Sequence, residues 1–127
     1  MKNFPDLLKE ANEQIKTVSV DEFKTFMNDP NLIIIDVQSK EAVEKNGMIP
    51  NAIHANRGFL EFYIDQRPDN PFKKIDVKPE NKIVVYCSAG GQGALATKTL
   101  QDMGFKGVSN LEGGSGAWIQ AGNKLTK

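Results

Sequence analysis

The run Leu32-Ile33-Ile34-Ile35 constrains the fold of this chain more than any other segment. All of its side chains are apolar and most are β-branched, so neither face of a strand built from it is suited to water. Strands of this kind are typical of parallel sheets that helices cover on both sides. The run Ile83-Val84-Val85-Tyr86 has the same character and predicts a second buried strand.

Strand and helix signals alternate along the rest of the chain, which predicts an α/β fold with right-handed crossovers. Further strands are expected at 17–20 and 108–111, with a turn and a brief strand within 49–54, and helices at 4–15, 20–28, 41–46 and 94–103, with a last short helix around Trp118. The stretch 57–79 combines aromatic residues with three prolines, and predicts a helical turn followed by a long surface connection. We expect residues 1–16 to form an N-terminal helix that packs on a single domain formed by residues 17–127.

Composition narrows the possible partners. Sixteen basic and sixteen acidic residues cancel among 127, and neither sign forms a long block, so neither nucleic acid nor an anionic membrane surface is favoured as a partner. No apolar run is long enough to cross a bilayer or to serve as a signal peptide, and the single cysteine cannot form an internal disulfide. The expected location is the cytoplasm, although a trimmed precursor would look the same.

Cys87, the only cysteine, is the main candidate for chemistry. It follows the second apolar strand directly and opens the glycine-rich stretch Ser88-Ala89-Gly90-Gly91-Gln92-Gly93, which leads into the predicted helix 94–103. Glycines allow successive backbone amides to turn inward, and a helix N-terminus adds partial positive charge. This arrangement favours a solvent-open thiolate, whereas the alternative is a buried cysteine that acts as a small hydrophobe.

Other polar residues near predicted strand ends are weaker candidates. Arg57 follows the short strand that ends at His54, and could bring positive charge to the edge of the sheet where Cys87 lies. His54 lacks an aligned serine or carboxylate partner, and Asp36 is expected to accept hydrogen bonds from loop amides. One cysteine and one histidine do not make a metal site, and no cofactor is indicated.

The chain resembles the rhodanese-like domains from about residue 17 to residue 122. The resemblance rests on four landmarks in the order and spacing of that family, namely Ile35-Asp36-Val37, Gly47-Met48-Ile49-Pro50-Asn51-Ala52, Tyr86-Cys87 with its loop, and Leu111-Glu112-Gly113-Gly114 with Ala117-Trp118. It implies a central five-stranded parallel sheet flanked by helices on both faces. The N-terminal helix and the segment 57–62 look like a bacterial single-domain branch.

The resemblance also implies a sulfurtransferase. In this family a cysteine thiolate takes a sulfane sulfur from thiosulfate or a small-molecule or protein persulfide, and passes it to cyanide or a thiol acceptor. On this chain Cys87 would be the nucleophile, and the amides of Ser88, Ala89, Gly90, Gly91, Gln92 and Gly93 would bind the donor, with Arg57 as a compensating cation. The oligomeric state is left open.

The loop departs from the family pattern at two adjacent positions. Gln92 stands where many active members have arginine, and Gly93 stands where a small hydroxyl residue is common. Without a guanidinium to pair with an oxyanion, thiosulfate is expected to be a poor donor. Two alternatives remain: a weakly active or non-catalytic module that serves as a sulfur-carrier partner or redox sensor, and a cysteine phosphatase. The phosphatase is disfavoured because it needs arginine six residues after the cysteine, where this chain has Gly93.

Overall fold

A computed structural model covering residues 1–127 shows five parallel strands in one sheet, with helices on both of its faces. The strands are β1 (Lys16–Val18), β2 (Leu32–Asp36), β3 (Ile53–His54), β4 (Lys82–Tyr86) and β5 (Val108–Leu111), in the spatial order β1-β5-β4-β2-β3. The helices are α1 (Phe4–Gln14), α2 (Val20–Phe26), α3 (Lys40–Asn46), α4 (Leu60–Ile64), α5 (Gly91–Asp102) and α6 (Gly114–Gln120). The predicted fold class is confirmed.

Strand β4 lies at the centre of the sheet and explains why its sequence is apolar throughout. Ile83 and Val85 face a core layer closed by α4 and α5, whereas Val84 and Tyr86 face a second layer closed by α2 and α6. Both faces of β4 are therefore buried, as the uniformly apolar run predicts. Because β4 pairs with β2 and β5, the residue that follows Tyr86 emerges at the middle of the C-terminal edge of the sheet.

Helix α5 begins three residues earlier than its apolar pattern predicts, at Gly91 rather than residue 94. Gly90 turns the chain with a φ of +111°, a conformation that favours glycine, and this turn starts the helix directly after the loop. The apolar spacing predicts that Leu95, Leu100 and Met103 share the buried face, but only Leu100 is fully buried, since Met103 is exposed and Leu95 is partly buried. Small residues at 93, 94, 96 and 97 face the sheet instead, and allow the helix to approach it closely.

Residues 57–81 form the expected helical turn and long connection. A 3₁₀ turn at Arg57–Phe59 leads into α4, and the chain then runs without regular structure to β4. Ile75 is 1% exposed and ties this connection to the core. The aromatic side chains of Phe59, Phe62 and Phe72 remain at the surface.

Helix α1 lies against α5 outside the sheet layers. A capping box fixes its start, because the Asn3 side chain accepts from the Asp6 amide and the Asp6 carboxylate accepts from the Asn3 amide. Ala11 is its one fully buried side chain, and the Gln101 side chain of α5 donates to the Gln14 carbonyl. The helix is thus anchored at its middle and its end. None of the helices is both long and apolar enough to cross a membrane.

Candidate active site

Cys87 lies immediately after β4, on the floor of a surface cleft. Its Sγ accepts hydrogen bonds from the backbone amides of Gly90 at 3.0 Å and Gly93 at 3.3 Å. Two N–H donors on one sulfur stabilise its anionic form. Cys87 is only 4% exposed, which is less than the expected solvent-open sulfur requires. The residue lines the cleft on one side and packs against the core on the other.

The remaining loop amides are available to a ligand. The N–H groups of Ser88, Ala89, Gly91 and Gln92 donate to no acceptor within the protein, and all four residues line the cleft. Gly91 and Gln92 belong to the first turn of α5, where N–H groups have no intrahelical partner. The six predicted loop residues therefore fall into two groups: the amides of two bond the sulfur, and the other four line the cleft and have amides without a partner in the protein.

The backbone of the loop is held from behind by α6. The amide of Ser115 donates to the Cys87 carbonyl at 2.8 Å, and that of Gly116 donates to the Ser88 carbonyl at 2.9 Å. Gly114, with a φ of +58°, is so close to the Cys87 carbonyl oxygen that a side chain there would overlap it. In the sequence, Gly113-Gly114 was part of a family landmark, and the structure shows that the second glycine permits this close approach.

Asn110 of β5 is a second supporting residue that the sequence did not single out. Its Nδ2 donates to the Gly90 carbonyl at 3.3 Å, while its buried Oδ1 has no hydrogen-bond partner. This Oδ1 fills the space that a Cβ on Gly93 would occupy. The glycine at position 93, where the family often has a hydroxyl residue, therefore leaves room for Asn110 beneath the loop.

The cleft above Cys87 has a volume of about 580 Å³ and an uncharged lining. Its walls come from α1, the β2–α3 region and the active-site loop, and are formed by Phe4, Leu8, Gln38, Ser39, Ala42, Cys87, Ser88, Ala89, Gly91 and Gln92. Apart from Cys87 itself, none of these residues has an ionisable side chain. Any attraction for an anion must therefore come from the backbone amides and the start of α5.

Arg57 does not line this cleft. Its guanidinium donates to Glu61 Oε1 at 2.9 Å and to Thr99 Oγ1 at 3.0 Å, which places it against α5 eight residues beyond Gly91. Its predicted role as a compensating cation thus stays a prediction that would require these contacts to break. The loss of the loop arginine is not offset by another cation in the cleft.

Asp36 accepts hydrogen bonds from the following loop, as predicted, and His54 also has a structural partner. Asp36 is fully buried and accepts from the Gln38 backbone amide at 2.8 Å and the Gln38 side-chain amide at 3.1 Å. His54 Nε2 lies 2.8 Å from the Gln38 carbonyl oxygen at the end of β3. Gln38 therefore links the ends of β2 and β3, and positions one wall of the cleft.

Tyr86, the neighbour of Cys87, points to the opposite core layer. Its hydroxyl oxygen accepts from the Ile49 amide at 3.0 Å. Burial, together with the nearby negative charge of Asp36, raises the pKa of Tyr86 far above its usual value. It is a neutral structural group and does not share a proton with the thiol.

A single cysteine lies at the C-terminal end of a central parallel strand, and loop amides at the start of a helix bond its sulfur, an arrangement that suits a cysteine nucleophile. The family model for the rhodanese-like domain matches residues 19–121, and the chain belongs to that family. The resemblance seen in the sequence is confirmed. Helix α1 lies outside the matched range.

Known structures and sequences place the chain among varied relatives. A Rhodopseudomonas palustris protein of unknown function, described as a possible tyrosine phosphatase, is 35% identical over 99% of this chain and 96% of its own, with a TM-score of 0.89. The polysulfide-sulfur transferase homodimer of Wolinella succinogenes is 28% identical over 97% of this chain and 86% of its own, with a TM-score of 0.73. A Legionella pneumophila tRNA uridine(34) hydroxylase is 30% identical over 76% of this chain, which spans only 36% of that relative's length.

Proposed function

We propose that the protein is a sulfurtransferase that carries sulfane sulfur as a persulfide on Cys87. Sulfurtransferase-type chemistry agrees with its family and with the polysulfide-sulfur transferase among its structural relatives. The observation that carries the proposal is the Cys87 sulfur, bonded to two amides at the floor of a cleft with four further amides free. Those free amides would hold the terminal sulfur and the anionic part of the donor.

The reaction is a double displacement. The Cys87 thiolate attacks the outer sulfur of a persulfide R–S–SH, the donor S–S bond breaks, and R–S⁻ leaves and takes up a proton. An acceptor thiolate then attacks the outer sulfur of the Cys87 persulfide, which restores the Cys87 thiolate. Neither step needs an oxidant, a metal or a cofactor, and a cytoplasmic location would keep the lone thiol reduced.

The uncharged cleft favours persulfide donors over thiosulfate. A doubly charged donor must lose much of its hydration to reach Cys87, and here no side-chain cation would repay that cost. Phosphatase chemistry is disfavoured for the same reason, because no arginine follows the cysteine at the sixth position to bind a phosphoryl group. The two functions thus differ in what the loop must hold.

Intact-mass spectrometry tests the proposal. Incubation with glutathione persulfide should add one sulfur atom to the protein, and cyanide or a thiol should remove it. Cys87→Ala is the control and should show no gain, since no other cysteine is present. If sulfur is added but no acceptor removes it, the module acts as a sensor rather than a transferase; if no sulfur is added, the proposal fails.

A further inference from the structure

Helix α1 forms one wall of the cleft that holds Cys87. Phe4 and Leu8, one turn apart on this helix, line the cleft together with Ala42 and Ala89. The two large apolar side chains of the lining thus come from a segment outside the matched family range. The N-terminal helix, which precedes the family domain in the sequence, thus supplies this wall.

The wall is fitted closely to the active-site loop. The Phe4 ring lies over Gly91, so that a Cβ at residue 91 would be only 2.9 Å from Phe4 Cζ. Phe4 is nonetheless 52% exposed, and neither Phe4 nor Leu8 belongs to a core cluster. Their outer faces are therefore available to a molecule in the cleft, although their inner faces are fixed by packing.

The size of the cleft exceeds what a small inorganic donor would fill. A volume of about 580 Å³ is in the range of pockets that bind organic ligands. Its chemistry has two parts: free amides beside the sulfur, and an apolar wall on α1. A ligand that matches both carries a sulfane sulfur at one end and an apolar group at the other.

We infer that Phe4 and Leu8 are specificity-determining residues, which bind the apolar substituent of an organic persulfide donor. The inference rests on the proposed function, since the sulfur is transferred to Cys87 by the displacement described above. Contact of the substituent with the wall holds the outer sulfur near Cys87 Sγ, and R–S⁻ leaves along the wall with the displaced electron pair. The donor's carbon substituent, rather than its charge, decides its rate.

Two persulfides with uncharged substituents separate these contributions. Benzyl persulfide and 2-hydroxyethyl persulfide, each generated in solution, present the same reacting sulfurs with different substituents. The measured quantity is kcat/KM for sulfur transfer to Cys87, and the readout is the thiocyanate that forms when cyanide removes this sulfur. The intact protein should prefer benzyl persulfide by about fivefold or more, as expected for partial burial of one aromatic ring.

Variants of α1 assign the preference to the wall. Phe4→Ala and Leu8→Ala should each lower the ratio of the benzyl persulfide rate to the 2-hydroxyethyl persulfide rate severalfold. Leu7→Ala is the matched control, because Leu7 is exposed on the same helix and does not line the cleft. It should keep the full preference.

The possible results distinguish the two proposals. If both persulfides load Cys87 but Phe4→Ala and Leu8→Ala keep the wild-type preference, the inference about Phe4 and Leu8 is wrong and the proposed sulfurtransferase function is unaffected. If neither persulfide loads Cys87 in the unaltered protein, both the proposed function and the inference about Phe4 and Leu8 are wrong. A measurement without variants is also decisive: benzyl mercaptan, the product of loading, should show intermolecular NOEs to the Phe4 ring, and their absence would overturn the inference.

Discussion

Gly93→Ala is the most informative perturbation of the active-site loop. Gly93 lies in the first turn of α5, and its amide donates to Cys87 Sγ at 3.3 Å. An added Cβ would overlap the buried Oδ1 of Asn110, a residue of β5 that is only 4% exposed. We expect the first turn of α5 to shift outward and this amide to leave the sulfur.

The magnitude follows from the lost hydrogen bond. A hydrogen bond to a charged group contributes about 1.5–3 kcal/mol, and 1.4 kcal/mol corresponds to about a factor of ten. Even at the lower end, the loss of this hydrogen bond should lower the reactivity of Cys87 about tenfold. Overpacking adds a cost in folding stability of about 1–3 kcal/mol.

Alkylation by iodoacetamide at about pH 6 measures this effect, because the reagent attacks the thiolate rather than the thiol. The rate constant for Gly93→Ala should fall about tenfold. Gly58→Ala is the matched control, since a Cβ there meets only the Asn56 side chain at 3.9 Å. Its alkylation rate should be unchanged.

A second change tests the cause. Asn110→Ala removes the atom that the new Cβ would overlap, so the double variant should recover a large part of the rate lost in Gly93→Ala, despite losing the bond to the Gly90 carbonyl. The reasoning is refuted if Gly93→Ala reacts within twofold of the unaltered protein, or if the double variant is no faster than Gly93→Ala.

Three further predictions follow from the same contacts. Gln92→Arg should raise kcat/KM with thiosulfate by about ten- to a hundredfold, because a guanidinium adds a charge-assisted pair with the donor. Gln120→Arg, at an exposed position of α6, is the control and should leave kcat/KM unchanged. Equal values of kcat/KM for the two variants would refute this account. Gly114→Ala should lower the free energy of urea unfolding by about 2–4 kcal/mol, because the new Cβ overlaps the Cys87 carbonyl and the φ of +58° disfavours alanine. Gly122→Ala, at a φ of +90° with open space around it, should lose only the stability that the unfavourable φ costs. Equal losses in the two variants would contradict the overlap. Tyr86→Phe should destabilise at neutral pH by about 1–3 kcal/mol, since the Ile49 amide loses its acceptor. Because folding raises the pKa of Tyr86, the unfolded chain alone ionises this group above about pH 10, so the deficit of Tyr86→Phe should shrink there by up to about 1.4 kcal/mol per pH unit; a constant deficit would contradict the pKa shift.

The sequence alone determined the fold class, the order of elements and the position of Cys87. These depend on local signals: a strand buried on both faces must be apolar throughout, as Ile83 to Tyr86 are, and a glycine-rich turn before a helix exposes several amides. The capping residues of α1 and α2 act over three positions and can be recognised in the same way. Signals that act over a few residues can be recognised in the sequence without knowledge of the tertiary contacts.

The tertiary structure decided which distant residues share the site. Phe4 reaches Gly91, Asn110 fills the space beside Gly93, and Gly114 approaches the Cys87 carbonyl because separate elements meet at one edge of the sheet. Arg57 looked equally well placed along the chain, yet its guanidinium binds Glu61 and Thr99 away from the cleft. Periodicity records whether a side chain is buried, but not its partner, because the partner depends on the distances and angles at which helices and strands pack.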